Sequence, residues 1–200
     1  MRILIAEDID LVAEAFEVLL GLEADLNVVA RVGRGDEVVE AVERYRIDVA
    51  LLDIDMPGCS GIEATAALRA AGSTCKVLLL TALPGSGHVP RALSAGANGY
   101  LAKTTSMTRL IEAIRAVAAG GTVVDPQLAA EALLAGGSPI TEREAEALSY
   151  VADGASTNEI AEAMFLTKGT VRNYLSSAMS KLEANTRIEA AAKAHAQGWI

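Results

Sequence analysis

Short aliphatic runs recur through the first half of the chain, at Arg2–Ala6, Val28–Val32, Asp48–Asp53, Lys76–Thr81 and Asn98–Ala102. Most are continuous rather than alternating, as strands buried on both faces are. Between them the apolar positions take helical spacing. Over Asp10–Gly21, residues Leu11, Ala15, Val18, Leu19 and Leu22 form one stripe of the kind that faces a core, and Ser106–Ala119 presents Leu110, Ile114 and Val117 in the same way. This alternation predicts an α/β fold: a five-stranded, doubly wound parallel sheet with right-handed crossovers over residues 1–120.

The pattern changes after Gly120-Gly121, which ends the fifth helix. Pro126 opens a short helix to about Leu134, and Ala135-Gly136-Gly137-Ser138-Pro139 reads as a linker, so residues 121–139 are a linker with a short helix. Residues 140–200 carry no strand signal. They carry helix starts instead: capping boxes at Thr141/Glu144, Ser156/Glu159 and Thr186/Glu189, and a further start near Thr167. Four short helices predict a small all-α domain.

Composition narrows the class. A hydrophobic fraction of 52% supports a packed core, and aromatics at 4% make that core aliphatic. No apolar run approaches the roughly 18 residues of a membrane span. Met1–Ala6 is too short for a signal segment and runs at once into Glu7-Asp8. Cys59 and Cys75 lack metal-ligand spacing and read as plain thiols. A cytoplasmic protein without direct membrane binding is expected. The net charge of −9 argues at first against a nucleic-acid partner.

In an open parallel sheet the functional site lies outside the carboxyl ends of the strands. There the first strand delivers Glu7-Asp8, the third Asp53 and then Asp55, the fourth Thr81 and the fifth Lys103. Each alone reads as a solvated loop residue. Together, the carboxylates would repel one another unless a cation neutralised them, and an all-oxygen set with open positions favours Mg²⁺. Phosphoryl transfer suits such a set. Asp53 attacks phosphorus, Glu7 and Asp8 hold the metal with the Asp55 carbonyl, Lys103 pairs with a phosphoryl oxygen, and Thr81 donates to it. A haloacid-dehalogenase-type phosphatase shares these groups, but its DxD sits on the first strand, whereas here the acidic pair comes first.

The motifs IAED (Ile5–Asp8), LLDIDMPG (Leu51–Gly58), LLLTA (Leu78–Ala82) and GYLAK (Gly99–Lys103) resemble those of receiver domains of two-component response regulators. The resemblance implies that Asp53 is the phosphoacceptor and that Thr81 and Lys103 are the switch pair. It also implies that Tyr100 is the aromatic whose ring turns inward with Thr81; the plain reading of Tyr100 is a half-buried strand aromatic. Two departures stand out. Thr104 follows Lys103 where many receivers have proline, so no cis peptide is expected, and Pro84-Gly85-Ser86-Gly87 is loose for the start of the fourth helix, with partial disorder expected there.

In the helical half, residues 158–181 have the proportions of a helix-turn-helix. Val171, Leu175, Ala178 and Leu182 form its inward stripe, and Lys168, Arg172, Asn173, Ser176 and Ser180 its outward face. The outward face suits DNA, with Arg172 on guanine, Asn173 on adenine, a tolerant Ser176, and Lys168, Thr170, Tyr174 and Lys181 on phosphates. It equally describes an ordinary solvated helix. The stretch 140–191, with TEREAEAL, ADGASTNEIA, GTVRNYLS and KLEANTRIEA, resembles the DNA-binding domain of NarL/LuxR (FixJ)-type regulators. Tyr174 stands where many members carry His. The resemblance implies a transcription factor rather than an enzyme. On the same resemblance a sensor histidine kinase is expected to phosphorylate Asp53, a homodimer to form through a face of the first and fifth helices, and double-stranded promoter DNA to be bound. The last helix, Thr186–Gln197, assists dimerisation. The charge distribution agrees: residues 1–137 carry −7 and residues 138–200 carry −2, while residues 163–200 carry +3. A constitutive DNA-binding protein with a vestigial receiver is the remaining alternative.

Overall fold

The computed structural model describes residues 1–82, 88–134 and 138–200, except the side chains of residues 131, 133 and 134. The chain divides near Ala130/Glu131 into two compact units. In the first, strands β1 (Arg2–Ala6), β2 (Asn27–Val32), β3 (Val49–Asp53), β4 (Lys76–Thr81), β5 (Gly99–Ala102) and β6 (Val123–Val124) form one parallel sheet in the order β2-β1-β3-β4-β5-β6. The expected five strands are thus corrected to six, because Val123-Val124 is too short to register as an aliphatic run.

Helices α1 (Asp10–Leu20), α2 (Val38–Tyr45), α3 (Gly61–Ala70), α4 (His88–Ser94), α5 (Met107–Ala118) and α6 (Pro126–Leu134) alternate with the strands. The order reverses between β1 and β3, so their carboxyl ends flank the crevice where such sheets place ligands. One face of the sheet, with Ile3, Ile5, Leu51, Leu78, Leu80 and Leu101, packs on Ala13 and Leu20 of α1 and on Leu110, Ile114 and Val117 of α5. The alternate residues, among them Leu4, Leu52, Leu79 and Tyr100, are also buried, on the side covered by α2 and α3. Every residue of β3 is buried, which is why these strands read as unbroken aliphatic runs. No peptide bond among the described residues is cis. The stretch Pro84-Gly85-Ser86-Gly87, for which partial disorder is expected from the sequence, lies outside the described residues.

The apolar stripe expected to bind α1 to the core faces the other way. Leu11 is 77% exposed, Val18 66% and Leu22 77%, with Ala15 exposed and Leu19 39% exposed. Ala13 and Leu20, with Phe16 partly buried, face the sheet instead. Helix α1 is apolar on two sides, so periodicity locates a stripe without saying which one the core takes.

The second unit contains α7 (Glu142–Ala152), α8 (Thr157–Ala163), α9 (Lys168–Lys181) and α10 (Arg187–Ala196). Their core is aliphatic and rich in alanine: Leu148, Ile160, Ala161, Val171, Leu175, Ala178, Ala190, Ala191 and Ala194 are all buried. The capping boxes of Thr141/Glu144 and Ser156/Glu159 form with both reciprocal bonds. At the third site Thr186 accepts from Glu189 N, but the Glu189 carboxylate reaches Asn185 N, one residue earlier than expected. Among the described residues no helix is long and apolar enough to cross a membrane.

The two faces of α1 predict opposite responses to substitution. Leu20→Ala should cost about 2–5 kcal/mol through the cavity it leaves. Val18→Lys should change stability by less than about 0.5 kcal/mol, as measured by chemical denaturation.

Candidate functional site

The carboxyl ends of β1, β3, β4 and β5 bring Glu7, Asp53, Thr81 and Lys103 together. Lys103 Nζ lies 2.7 Å from Glu7 Oε2 and 2.9 Å from Asp53 Oδ2, with both carboxylates almost wholly buried. Asp53 Oδ1 accepts from Ile54 N at 2.8 Å, so both of its oxygens are fixed. The loop after β3 returns closely enough that a Cβ on Gly61 would overlap the Asp53 carbonyl, and Gly61 N donates to Ile54 O at 2.9 Å.

Two buried carboxylates share one ammonium, and the titration of all three reflects it. Burial pushes the Asp53 carboxyl up, against the pull of Lys103. Burial and the neighbouring Asp53 charge do the same to Glu7. Burial would lower Lys103, but its two carboxylate partners outweigh that and raise it. The trio retains a net negative charge, to which the exposed Asp8 adds another. Ligand oxygens of Glu7, Asp8 and Asp53 all lie within 4.8 Å of one another. This compact, all-oxygen, charge-unbalanced set fits a hard divalent cation. Asp55 is exposed and its carboxylate stands outside that group.

Thr81 ends β4 at 1% exposure, and the Tyr100 ring is wholly buried at 0%. Tyr100 therefore lies inside the domain rather than half-buried. Its hydroxyl reaches towards Thr81, and burial pushes the phenol up to about 12.

In the helical unit, Lys168, Arg172, Asn173, Ser176 and Ser180 all lie on the exposed side of α9, opposite the buried Val171, Leu175, Ala178 and Leu182. Thr170 is half-buried and its hydroxyl bonds the N-cap Thr167 at 2.9 Å. Tyr174 is also half-buried and packs on the core. Lys181 has a partner that the sequence did not suggest: Nζ donates to both oxygens of Glu144, at 2.9 and 2.7 Å. The Glu144 side chain is only 5% exposed and also accepts from Thr141 N. Burial raises its pKa, but bonds from Lys181, Ser177 and Thr141 prevail and hold it at about 2. Lys193 is likewise engaged, with Glu189 and with the Leu182 and Glu183 carbonyls at the end of α9. On α9, Lys168 and Arg172 have no ion pair among the described residues, so these two cations dominate its outward face.

A parallel sheet with a lysine-bridged acidic pocket, followed by a small all-helical unit, matches the class of response-regulator receivers joined to DNA-binding modules. Residues 3–115 match the family described as "Response regulator receiver domain", and residues 138–194 the one described as "Bacterial regulatory proteins, luxR family". The chain belongs to the NarL/LuxR-type response regulators, a family of transcription regulators. It is 41% identical over 200 residues to the transcriptional regulatory protein DesR of Bacillus subtilis (strain 168), covering 100% of this chain and 99% of DesR. It is 34% identical over 197 residues to the nitrate/nitrite response regulator protein NarP of Escherichia coli (strain K12), covering 94% of this chain and 92% of NarP. Among solved structures, the response regulator ChrA of a heme-sensing two-component system aligns with a TM-score of 0.60 at 31% identity, covering 100% of this chain and 98% of ChrA.

The Glu144–Lys181 pair makes the helical unit acid-sensitive. Because the folded-state pKa of Glu144 is about 2, below the ordinary 4.5, its contribution is full above 4.5 and disappears as the pH falls towards 2. Glu144→Gln should flatten that acid limb in denaturation measured across the pH range. Lys181→Met should cost about 1–3 kcal/mol at neutral pH by leaving a buried carboxylate without its cation.

Proposed function

We propose that this chain is a phosphorylation-controlled transcription factor. A sensor histidine kinase transfers a phosphoryl group to Asp53 in the presence of Mg²⁺, and the modified protein dimerises on promoter DNA. The observation that carries this reading is the Lys103 ammonium 2.9 Å from a buried Asp53 oxygen, with a second carboxylate 2.7 Å from the same nitrogen. Nucleophile and counter-charge are assembled before any donor arrives.

Glu7, Asp8 and Asp53, with the main-chain carbonyl of Asp55, are the residues that would hold Mg²⁺. When bound, the ion neutralises charge on the phosphoryl oxygens. Asp53 forms the bond to phosphorus as the bond from phosphorus to the donor's imidazole nitrogen breaks, giving an acyl phosphate. Lys103 pairs with one phosphoryl oxygen and Thr81 donates its hydroxyl to another. The acyl phosphate hydrolyses in time, which limits the signal.

Thr81 at the end of β4 and Tyr100 on the adjacent β5 are the switch pair of this reading, and their rearrangement reshapes the domain surface. We assign the dimer contact to the face formed by α1 and α5. The exposed Leu11, Val18 and Leu22 supply an apolar stripe there that folding of one chain leaves in water. Helix α10 assists. A dimer sets two α9 helices at half-sites about one helical turn apart. On each, Arg172 reads guanine, Asn173 reads adenine and Ser176 adapts, while Lys168, Thr170 and Tyr174 approach phosphates. Lys181 also stands at the phosphate end of α9, although its charge is largely committed to Glu144.

Asp53→Asn should abolish Mg²⁺-dependent labelling by acetyl phosphate, measured by phosphoprotein gel or intact mass; retained labelling places the acceptor elsewhere. Arg172→Ala should weaken specific DNA binding by about 1–3 kcal/mol. An equal loss on random DNA, measured by fluorescence anisotropy, would make Arg172 a phosphate contact.

A further inference from the structure

The short strand β6 does more than extend the sheet. Val123 and Val124 pair with Gly99 and Tyr100, the latter being the switch aromatic of the reading above. Val123 N donates to Asn98 O at 3.0 Å, and Asp125 N donates to Tyr100 O at 3.0 Å. The close approach depends on Gly99: a Cβ there would overlap Leu78 and stand 3.1 Å from the Val123 carbonyl.

Asp125 is at the same time the cap of α6. Its Oδ1 accepts from Gln127 N at 3.0 Å, and its carbonyl accepts from Ala129 N at 2.9 Å. Pro126 occupies the first helical position, where its missing N–H costs nothing. Leu128, one turn in, is 5% exposed, and α6 as far as Ala130 belongs to the sheet-containing unit. Across a shallow groove from Asp125, Pro126 and Gln127 stand Thr104, Thr105 and Arg109, in the loop after Lys103 and the first turn of α5.

One residue thus joins the main chain of the switch tyrosine to the start of the helix that leaves the receiver. We propose that Asp125 is a positioning residue of the output, passing displacement of the Tyr100 strand into the N-terminus of α6. A moving Tyr100 carbonyl either takes the Asp125 amide with it or leaves a main-chain donor without its partner. If the amide follows, the capped first turn must follow too. The inference rests on the Thr81–Tyr100 switch proposed above.

The test uses the full chain with beryllofluoride and Mg²⁺ as the activating probe. In the parent protein, amide hydrogen exchange of residues 123–127 should change together with that of residues 99–103. Asp125→Ala keeps the main-chain N–H but removes the cap. It should label with acetyl phosphate as the parent does, yet lose most of the gain in DNA affinity on activation, a gain expected in the range of about 5- to 150-fold. Asp125→Asn, which can still cap, should restore it. The inference is overturned if residues 99–103 respond while residues 123–127 do not, or if Asp125→Ala keeps the full gain. If beryllofluoride changes neither segment nor DNA affinity in the parent, the switch itself is refuted and the inference falls with it.

Discussion

An ammonium shared by two buried carboxylates is the constraint around which the receiver is built. Removing three charged groups from water carries a desolvation cost that only short, well-aimed contacts offset. Glu7, Asp53 and Lys103 come from three different strands, and their spacing must hold to a few tenths of an ångström. A parallel sheet whose aliphatic strands are covered on both faces supplies that rigidity. It also gathers the strand ends at one edge, where β1 and β3 separate in chain direction. The charge left over suits a divalent cation, and the proposed phosphoryl chemistry draws on the same pocket. Fold, metal preference and chemistry follow from one unbalanced trio.

Much of this was legible in the sequence because the signals are local and redundant. Unbroken aliphatic runs mark strands buried on two sides, and β1, β3, β4 and β5 each end at or one residue before a residue of the pocket. Three features were not legible. The outward stripe of α1 has the same spacing as an inward one, and the smaller Ala13 and the partly buried Phe16 give no warning that the core lies on their side. The two valines of β6 are too few for a period of two to show, so the sequence alone reads them as linker. Glu144 and Lys181 lie 37 residues apart, and a capping glutamate carries no sign that it also holds a lysine on another helix.

In the helical unit α9 is fixed by an aliphatic, alanine-containing core face and by its two ends. Thr167 caps its N-terminus. At the other end, Lys181 reaches back to α7, and Lys193 of α10 takes up the Leu182 and Glu183 carbonyls that follow the last turn. These bonds use cations that a simple charge count would leave free, so less of the positive charge of this unit is uncommitted than its sequence suggests.

The brevity of β6 has a consequence for solubility. A sheet that stopped at β5 would present the main-chain groups of Asn98 and Tyr100 along an open edge, flanked by aliphatic residues, which is a template for pairing with another chain. Two residues of β6 occupy that edge, and Pro126 follows almost at once, lacking the N–H that would continue the ladder. The last strand closes one side of the sheet against strand-to-strand aggregation while being too short to recruit a neighbour itself.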